Sequence, residues 1–241
     1  MSPKYMNLKK RRRPAVVAAG IVRALDTDFG ASPATATQAW FDAAKADATG
    51  YELFITTLHS PAPTGVNPDA GTWIDRAYTA GFKVGTYARY VEDFDTGLDA
   101  LTSTQRAKLS FHALDVEDIG HLVTREMVNA VAAYGVRPII YTGFADFGGA
   151  PGGSWTDVMG ADSSFGDVPL WHYDGEPTSQ NWPTSLAQNA DGMVAANFYG
   201  WNESPGALRI GHQFDRNFVL VLAGHANVTI DRNIFHREWL A

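Results

Sequence analysis

Two carboxylates separated by one residue close a short apolar run at Phe111-His112-Ala113-Leu114-Asp115-Val116-Glu117-Asp118. On a strand, the period of two puts Asp115 and Glu117 on one face, roughly 6–7 Å apart along the backbone, and turns Val116 into the packing. Such a pair can divide acid–base work: one carboxyl keeps a proton to deliver while the other stays charged. Strand ends are also wet, so two acids there can simply be solvated. His112 and His121 lie close in sequence, but His112 stands three residues before Asp115 and on a strand faces away from it. His121 falls in the following helix. One face therefore does not supply a ligand set, and neither a metal nor a cofactor is expected. A Gly-x-Ser-x-Gly turn and cysteine are both absent. This removes the serine-elbow hydrolases, disulfides, thiol nucleophiles and thiolate metal sites.

The elements that must position these acids alternate between strand and helix. Gly20 to Asp26 reads as a strand that also ends on an acid. Ser32-Pro33 predicts a helix start, with Ser as cap and Pro in the first position, running on through Trp40, Phe41, Ala44 and Ala48. Tyr51 to Leu58 is a β-branched and aromatic strand. A proline-rich loop then leads to a helix from Asp69 to Ala80, stopped by Gly81. Phe82 to Tyr90 is the third strand, a polar helical stretch runs to Lys108, and the Asp115/Glu117 strand is the fourth. His121 to Tyr134 has near-helical spacing of Leu122, Met127, Val131 and Tyr134 and ends at Gly135. Val136 to Thr142 is a fifth strand, which tolerates Pro138 only near its start.

Beyond this point the alternation decays. Residues 143–166 are glycine-rich, with at most a short helix at Thr156 to Gly160. Val168 to Tyr173, Leu208 to Phe214 and Asn227 to Asp231 are strand candidates, and Met193 to Tyr199 is a weaker one inside a long polar connection. Five βα units followed by three strands with little helix between them predict an α/β fold, a single barrel whose second half has lost its helices.

At 241 residues and 45% hydrophobic, the chain can fill one large α/β domain, and no run approaches the roughly 20 apolar residues of a membrane span. Charge is unevenly distributed. The first 20 residues carry Lys4, Lys9, Lys10, Arg11, Arg12 and Arg13 and no acid, while the remainder has 13 basic against 26 acidic residues. An acidic body argues against nucleic acid as the main partner. Residues 1–19 are expected to be a basic solubilising arm, with residues 20–241 forming the barrel. The apolar run Ala15 to Val22 is short and broken by Arg23, which suits a first strand better than a secretion signal.

The order of motifs resembles the glycoside hydrolase family 25 lysozymes, muramidases common among phage endolysins, over about residues 20–237. Ala24-Leu25-Asp26 matches a first strand ending in Asp, and Ala113 to Glu117 matches the central Asp-x-Glu. Pro138-Ile-Ile-Tyr-Thr142, Pro169-Leu-Trp171, Gln213-Phe214 and Thr229-Ile-Asp-Arg-Asn-Ile-Phe235 follow in the family's order. The resemblance implies a TIM-like (β/α)5(β)3 barrel acting on peptidoglycan, with Glu117 as general acid. Asp115 would orient a 2-acetamido group or stabilise the transition state, and Asp26 and Asp231 would hold hydroxyls or tune Glu117. Asp115 and Asp231 would disfavour ionisation of Glu117. Tyr141 and Trp171 are expected to line the cleft, since aromatic faces stack on sugar rings, and Tyr90, Gln213 and Arg89 are further candidates for substrate contact.

The chain departs from the family at Thr56-Thr57-Leu58-His59-Ser60 in place of Lys-Ala-Thr-Glu-Gly, at His212 in place of Trp and at Gly175 in place of Tyr. These changes fall on sugar-contacting walls and spare the acids, a pattern similar to the divergent glycoside hydrolase-like branch of the family. By the same resemblance the partner is a glycan strand rather than nucleic acid or membrane, and the protein is a monomer. It would be phage-encoded, made in the host cytoplasm, and released through a holin pore or carried on the virion. A separate wall-binding module is not apparent, so wall affinity falls to the arm, the cleft or a partner. Two rivals share the same barrel. One is a non-catalytic glycan-binding or phage-tail domain, and the other is a hydrolase of a different acetylated glycan.

Overall fold

The computed structural model describes residues 20–27, 34–60, 65–89, 91–116, 123–143, 168–173, 182 and 209–240. Nine strands form one sheet: β1 (Ile21–Thr27), β2 (Tyr51–Ser60), β3 (Gly65–Val66), β4 (Lys83–Ala88), β5 (Leu109–Asp115), β6 (Pro138–Gly143), β7 (Leu170–Tyr173), β8 (Arg209–Leu220) and β9 (Val228–His236). Neighbours run β1-β9-β8-β7-β6-β5-β4-β2, and pairing of β1 with β2 closes the ring into an eight-stranded barrel. All pairs are parallel except those of β9, which is antiparallel to β8 and to β1, and of β3, which is antiparallel to the end of β2. Closure leaves the barrel strands without an open edge. The predicted α/β barrel is the fold found.

Helices α1 (Gln38–Ala46), α2 (Ala70–Thr79), α3 (Phe94–Asp99), α4 (Ser103–Arg106) and α5 (Arg125–Ala133) return the chain between parallel strands. Two helix starts differ from the sequence reading. Helix α1 is capped by Thr37, whose hydroxyl accepts from the Trp40 amide, and it stops at Ala46 rather than running through Ala48. The Ser32-Pro33 start lies outside the described residues. Helix α5 is capped by Thr124 accepting from the Met127 amide, so it begins at Arg125 rather than His121. In both cases a threonine next to the first amphipathic turn satisfies an otherwise unpaired amide. Gly81 and Gly135 end α2 and α5 at φ +90° and +78°, where a side chain would be strained. Pro138 opens β6, the only ladder position that spares its missing N–H. The helix expected at Thr156 to Gly160 and the strand at Met193 to Tyr199 lie outside the described residues.

Strand alternation sorts side chains into two cores. Phe111 and Ala113 point into the barrel with Val22, Ala24, Ile139 and Trp171. Leu114 and Val116 point outward and pack with Leu25, Phe54 and Ile140 under the helices. Inside the barrel Phe111 stacks on Phe235, with ring centroids 5.6 Å apart, and Trp171 lies 5.6 Å from Phe235. Two glycines make room for these rings. A Cβ on Gly85 would stand 2.2 Å from the Phe111 ring, and one on Gly211 would stand 2.4 Å from Phe235. Gly85→Ala is therefore expected to cost ~1–3 kcal/mol through forced repacking. Urea unfolding should register this, and an unchanged midpoint would show that the rings can yield.

His112 occupies the outer face of β5 and is completely buried, with Nδ1 3.0 Å from the Thr86 hydroxyl. Burial holds the imidazole neutral and drops its pKa to about 3. The unfolded chain takes up a proton near pH 6.5, so the stability tied to this group is intact above that value. It is lost as pH falls toward 3. Going from neutral pH to about 4.5 should cost on the order of 2–3 kcal/mol. His112→Gln should flatten the slope of unfolding free energy against pH in that window; equal slopes would clear His112 of the effect.

Candidate active site

The cleft lies at the carboxyl-terminal mouth of the parallel strands, where barrels of this kind carry their chemistry. Its volume is about 240 Å³, and Asp26, Asp115 and Asp231 all line it. Each comes from a different strand. Asp26 follows inward-facing Ala24 by two residues on β1, and Asp115 follows inward-facing Ala113 by two on β5. Asp231 sits on β9 directly across from Asp26 in the ladder. Asp26 and Asp115 are buried, at 4% and 2% exposure. The ladder thus sets two carboxyl groups opposite one another across β1 and β9.

Ordered polar partners orient part of this set. The Tyr141 hydroxyl donates to Gln213 Oε1 at 2.7 Å, and Gln213 Nε2 donates to Asp231 Oδ2 at 2.9 Å. The Asn217 amide donates to the other Asp231 oxygen at 2.8 Å. With a donor on each oxygen, the Asp231 carboxylate is fixed in direction. Trp171 Nε1 donates to Asn233 Oδ1 at 2.9 Å, which sets its indole 4.3 Å from the Tyr141 ring. The cleft thus has a carboxylate rim above an aromatic floor.

Of the candidates drawn from sequence, Asp26, Asp115, Asp231, Tyr141, Trp171, Gln213 and Arg89 line this one cleft. Glu117 and Tyr90 lie outside the described residues. Val116 is buried on the outer face, as the alternation requires. His112, which could have been read as a ligand beside Asp115, points away from the cleft toward Thr86. Of the departures from the family pattern, Ser60 lines the cleft. His212 is buried behind it, 6.3 Å from Phe214. Gly175 lies outside the described residues.

Three lining residues escaped the sequence reading: Tyr87, Arg216 and Asn217. Tyr87 had a signal, because it shares the period-two face of β4 with Arg89. Arg216 had none. Counting by two from Gln213 would turn it outward, but the β8 register shifts between Gln213 and Asp215 and again before Phe218. Asn217 takes φ +58° within this irregular stretch, a conformation Asn tolerates better than most residues. The irregularity re-aims Arg216 at the mouth, as bulges beside binding sites commonly do. There its guanidinium lies 4.5 Å over the Tyr173 ring.

No protein-family model and no curated protein matches the chain. Solved structures do. A glycosyl hydrolase 25 of Streptococcus pneumoniae, described as a virulence factor participating in host cell invasion, aligns over 90% of this chain and 88% of its own. The identity is 15% and the TM-score 0.55. A family 25 glycosyl hydrolase from Bacillus anthracis aligns over 94% of both chains at 12% identity and TM-score 0.51. The modular autolysin LytC of Streptococcus pneumoniae, in complex with a synthetic peptidoglycan ligand, aligns over 89% of this chain but 46% of its own, at 10% identity and TM-score 0.50. The chain therefore has the barrel fold of the family 25 glycoside hydrolases.

Proposed function

We propose that the protein is a glycoside hydrolase that cleaves the β-1,4 bonds between N-acetylmuramic acid and N-acetylglucosamine in bacterial peptidoglycan. The observation that carries this reading is the convergence of Asp26, Asp115 and Asp231 from three strands on one cleft above Tyr141 and Trp171. Glycoside cleavage needs a proton donor for the leaving oxygen and a charged group near the developing oxocarbenium centre. Glu117, two residues beyond Asp115, is the donor in this proposal. Asp115 orients the 2-acetamido group or stabilises the transition state, and Asp26 and the fixed Asp231 hold sugar hydroxyls. Arg89, exposed at the cleft, and Arg216 would face the carboxylates that muramyl residues and their peptides carry. The peptidoglycan ligand held by a protein of similar fold supports a glycan substrate.

Digestion of purified cell walls tests the reading. Released reducing ends should appear, and mass spectrometry should place N-acetylmuramic acid at them. Protein that sediments with walls but releases no reducing ends would favour the glycan-binding rival on the same barrel. Reducing ends on N-acetylglucosamine alone would leave a hydrolase but refute the bond named here.

A further inference from the structure

At the opposite end of the barrel cations stand side by side, with two acids at the same end already paired: Glu52 with Arg237 and Asp75 with Lys108. Three adjacent parallel strands enter the barrel next to a cation: Lys83 is the first residue of β4, Lys108 immediately precedes β5, and Arg137 immediately precedes β6. Neighbouring strands are about 4.8 Å apart, so these residues form a row on the order of 10 Å across. They line a groove of about 620 Å³ in which no described lining residue is acidic. Lys108 is ion-paired with Asp75 at 2.5 Å, a carboxylate that also accepts from Gln105, and Arg137 donates to the Trp239 carbonyl. Lys108 lies 5.5 Å from the exposed Tyr78 ring, and Arg137 lies 5.8 Å from Trp239.

The basic arm is rooted at this same end. Gly20, where residues 1–19 join β1, accepts a hydrogen bond from the Arg237 amide. Arg237 begins the 3-10 turn Arg237–Trp239, and the next residue, Leu240, lines the groove. Residues 1–19, which precede Gly20 in the chain, carry six further cations in a protein whose net charge is −7. Asp26, Asp115 and Asp231 line the other mouth.

We propose that this groove binds a phosphodiester-linked polyanion of the cell wall, a polymer of sugar or polyol phosphates, and so holds the protein on its substrate. A linear polyanion suits a row of cations better than a single small anion does, because successive phosphates can displace counterions along the row. Aromatic rings next to the cations add faces for the sugar or polyol between phosphates. The choice of a wall polymer rests on the catalytic reading above; the groove's charge does not.

The test is equilibrium binding of the full chain to poly(glycerol phosphate) over a salt series, which requires no catalysis and so can fail or succeed separately from the hydrolase reading. Binding should weaken steeply with salt. Lys83→Glu should weaken it at least tenfold and reduce the salt slope by about one, since one phosphate contact is lost. Lys83→Glu/Arg137→Glu should weaken it further, with an unchanged melting temperature and unchanged cleavage of short soluble glycan fragments. Lys83→Gln, which adds no repulsion, should fall between the wild type and Lys83→Glu. Two results would overturn the proposal. One is undiminished binding by the double variant together with its loss when the six arm cations are replaced by serine. The other is tighter binding to a single-stranded oligonucleotide of equal charge, which would make the groove a nucleic-acid site.

Discussion

Glu117→Gln is expected to slow cleavage of wall glycan by on the order of 10²–10⁴-fold, the usual contribution of a positioned general acid. The substitution keeps the size and hydrogen-bonding reach of the side chain and removes the transferable proton. The melting temperature should hold, because no packing volume changes. Asp115, the residue two before it, is buried in the cleft, and between them Val116 is buried on the outer face. Glu117→Asp should recover part of the rate, since the acid is restored but drawn back from the leaving oxygen. Turbidity loss of cell walls and reducing-end release measure the effect. Activity within about threefold of wild type in Glu117→Gln would remove this residue from the donor role, because even the weakest such contribution is larger.

Asp215→Ala should lower stability by roughly 3–5 kcal/mol. Arg232 is 4% exposed and its Nε donates to Asp215 Oδ2 at 2.6 Å, with Nη2 engaging the same carboxylate. Its guanidinium lies 4.2 Å over Phe218 and 5.2 Å over Phe214. Removing Asp215 leaves that charge among aromatic rings without its countercharge. For a chain of this size the loss corresponds to a fall in Tm of roughly 6–20 °C. The damage should spread to activity, because the β8–β9 hairpin that this pair clamps also supplies Gln213, Arg216, Asn217 and Asp231 to the cleft. Asp215→Ala combined with Arg232→Met should restore much of the stability, since replacing both members of a buried pair is far less costly than orphaning one. A double variant no more stable than Asp215→Ala would mean that the arginine's packing, not its unpaired charge, sets the cost.

Much of this architecture is local in origin and could be read residue by residue. Alternation along Phe111 to Asp115 gives the inward and outward faces of β5, and the same rule turns His112 away from the acids. Glycines 81 and 135 stop helices because only they sit easily at positive φ. Other features have rival local signals. Ser32-Pro33 looks as good a helix start as Thr37, yet the amide actually capped belongs to Trp40. Of the two neighbouring candidates just beyond the end of β4, Arg89 lines the cleft and Tyr90 lies outside the described residues. Tyr87 is the residue that keeps the parity of Arg89, and it lines the cleft beside Arg89.

Taken alone, the order of residues determined the alternating elements, the acid at the end of each of two strands, and the division of charge between a basic arm and an acidic body. Each depends on neighbours a few positions apart, where periodicity and side-chain chemistry act directly. Tertiary structure decided what joins across the ring. It set Asp26 against Asp231, more than 200 residues away, and placed Lys83, Lys108 and Arg137 in one row. It also broke the register of β8 so that Arg216 turns inward. Strand register is a cooperative property of both partners and of barrel closure, and a one-residue shift reverses every side chain beyond it.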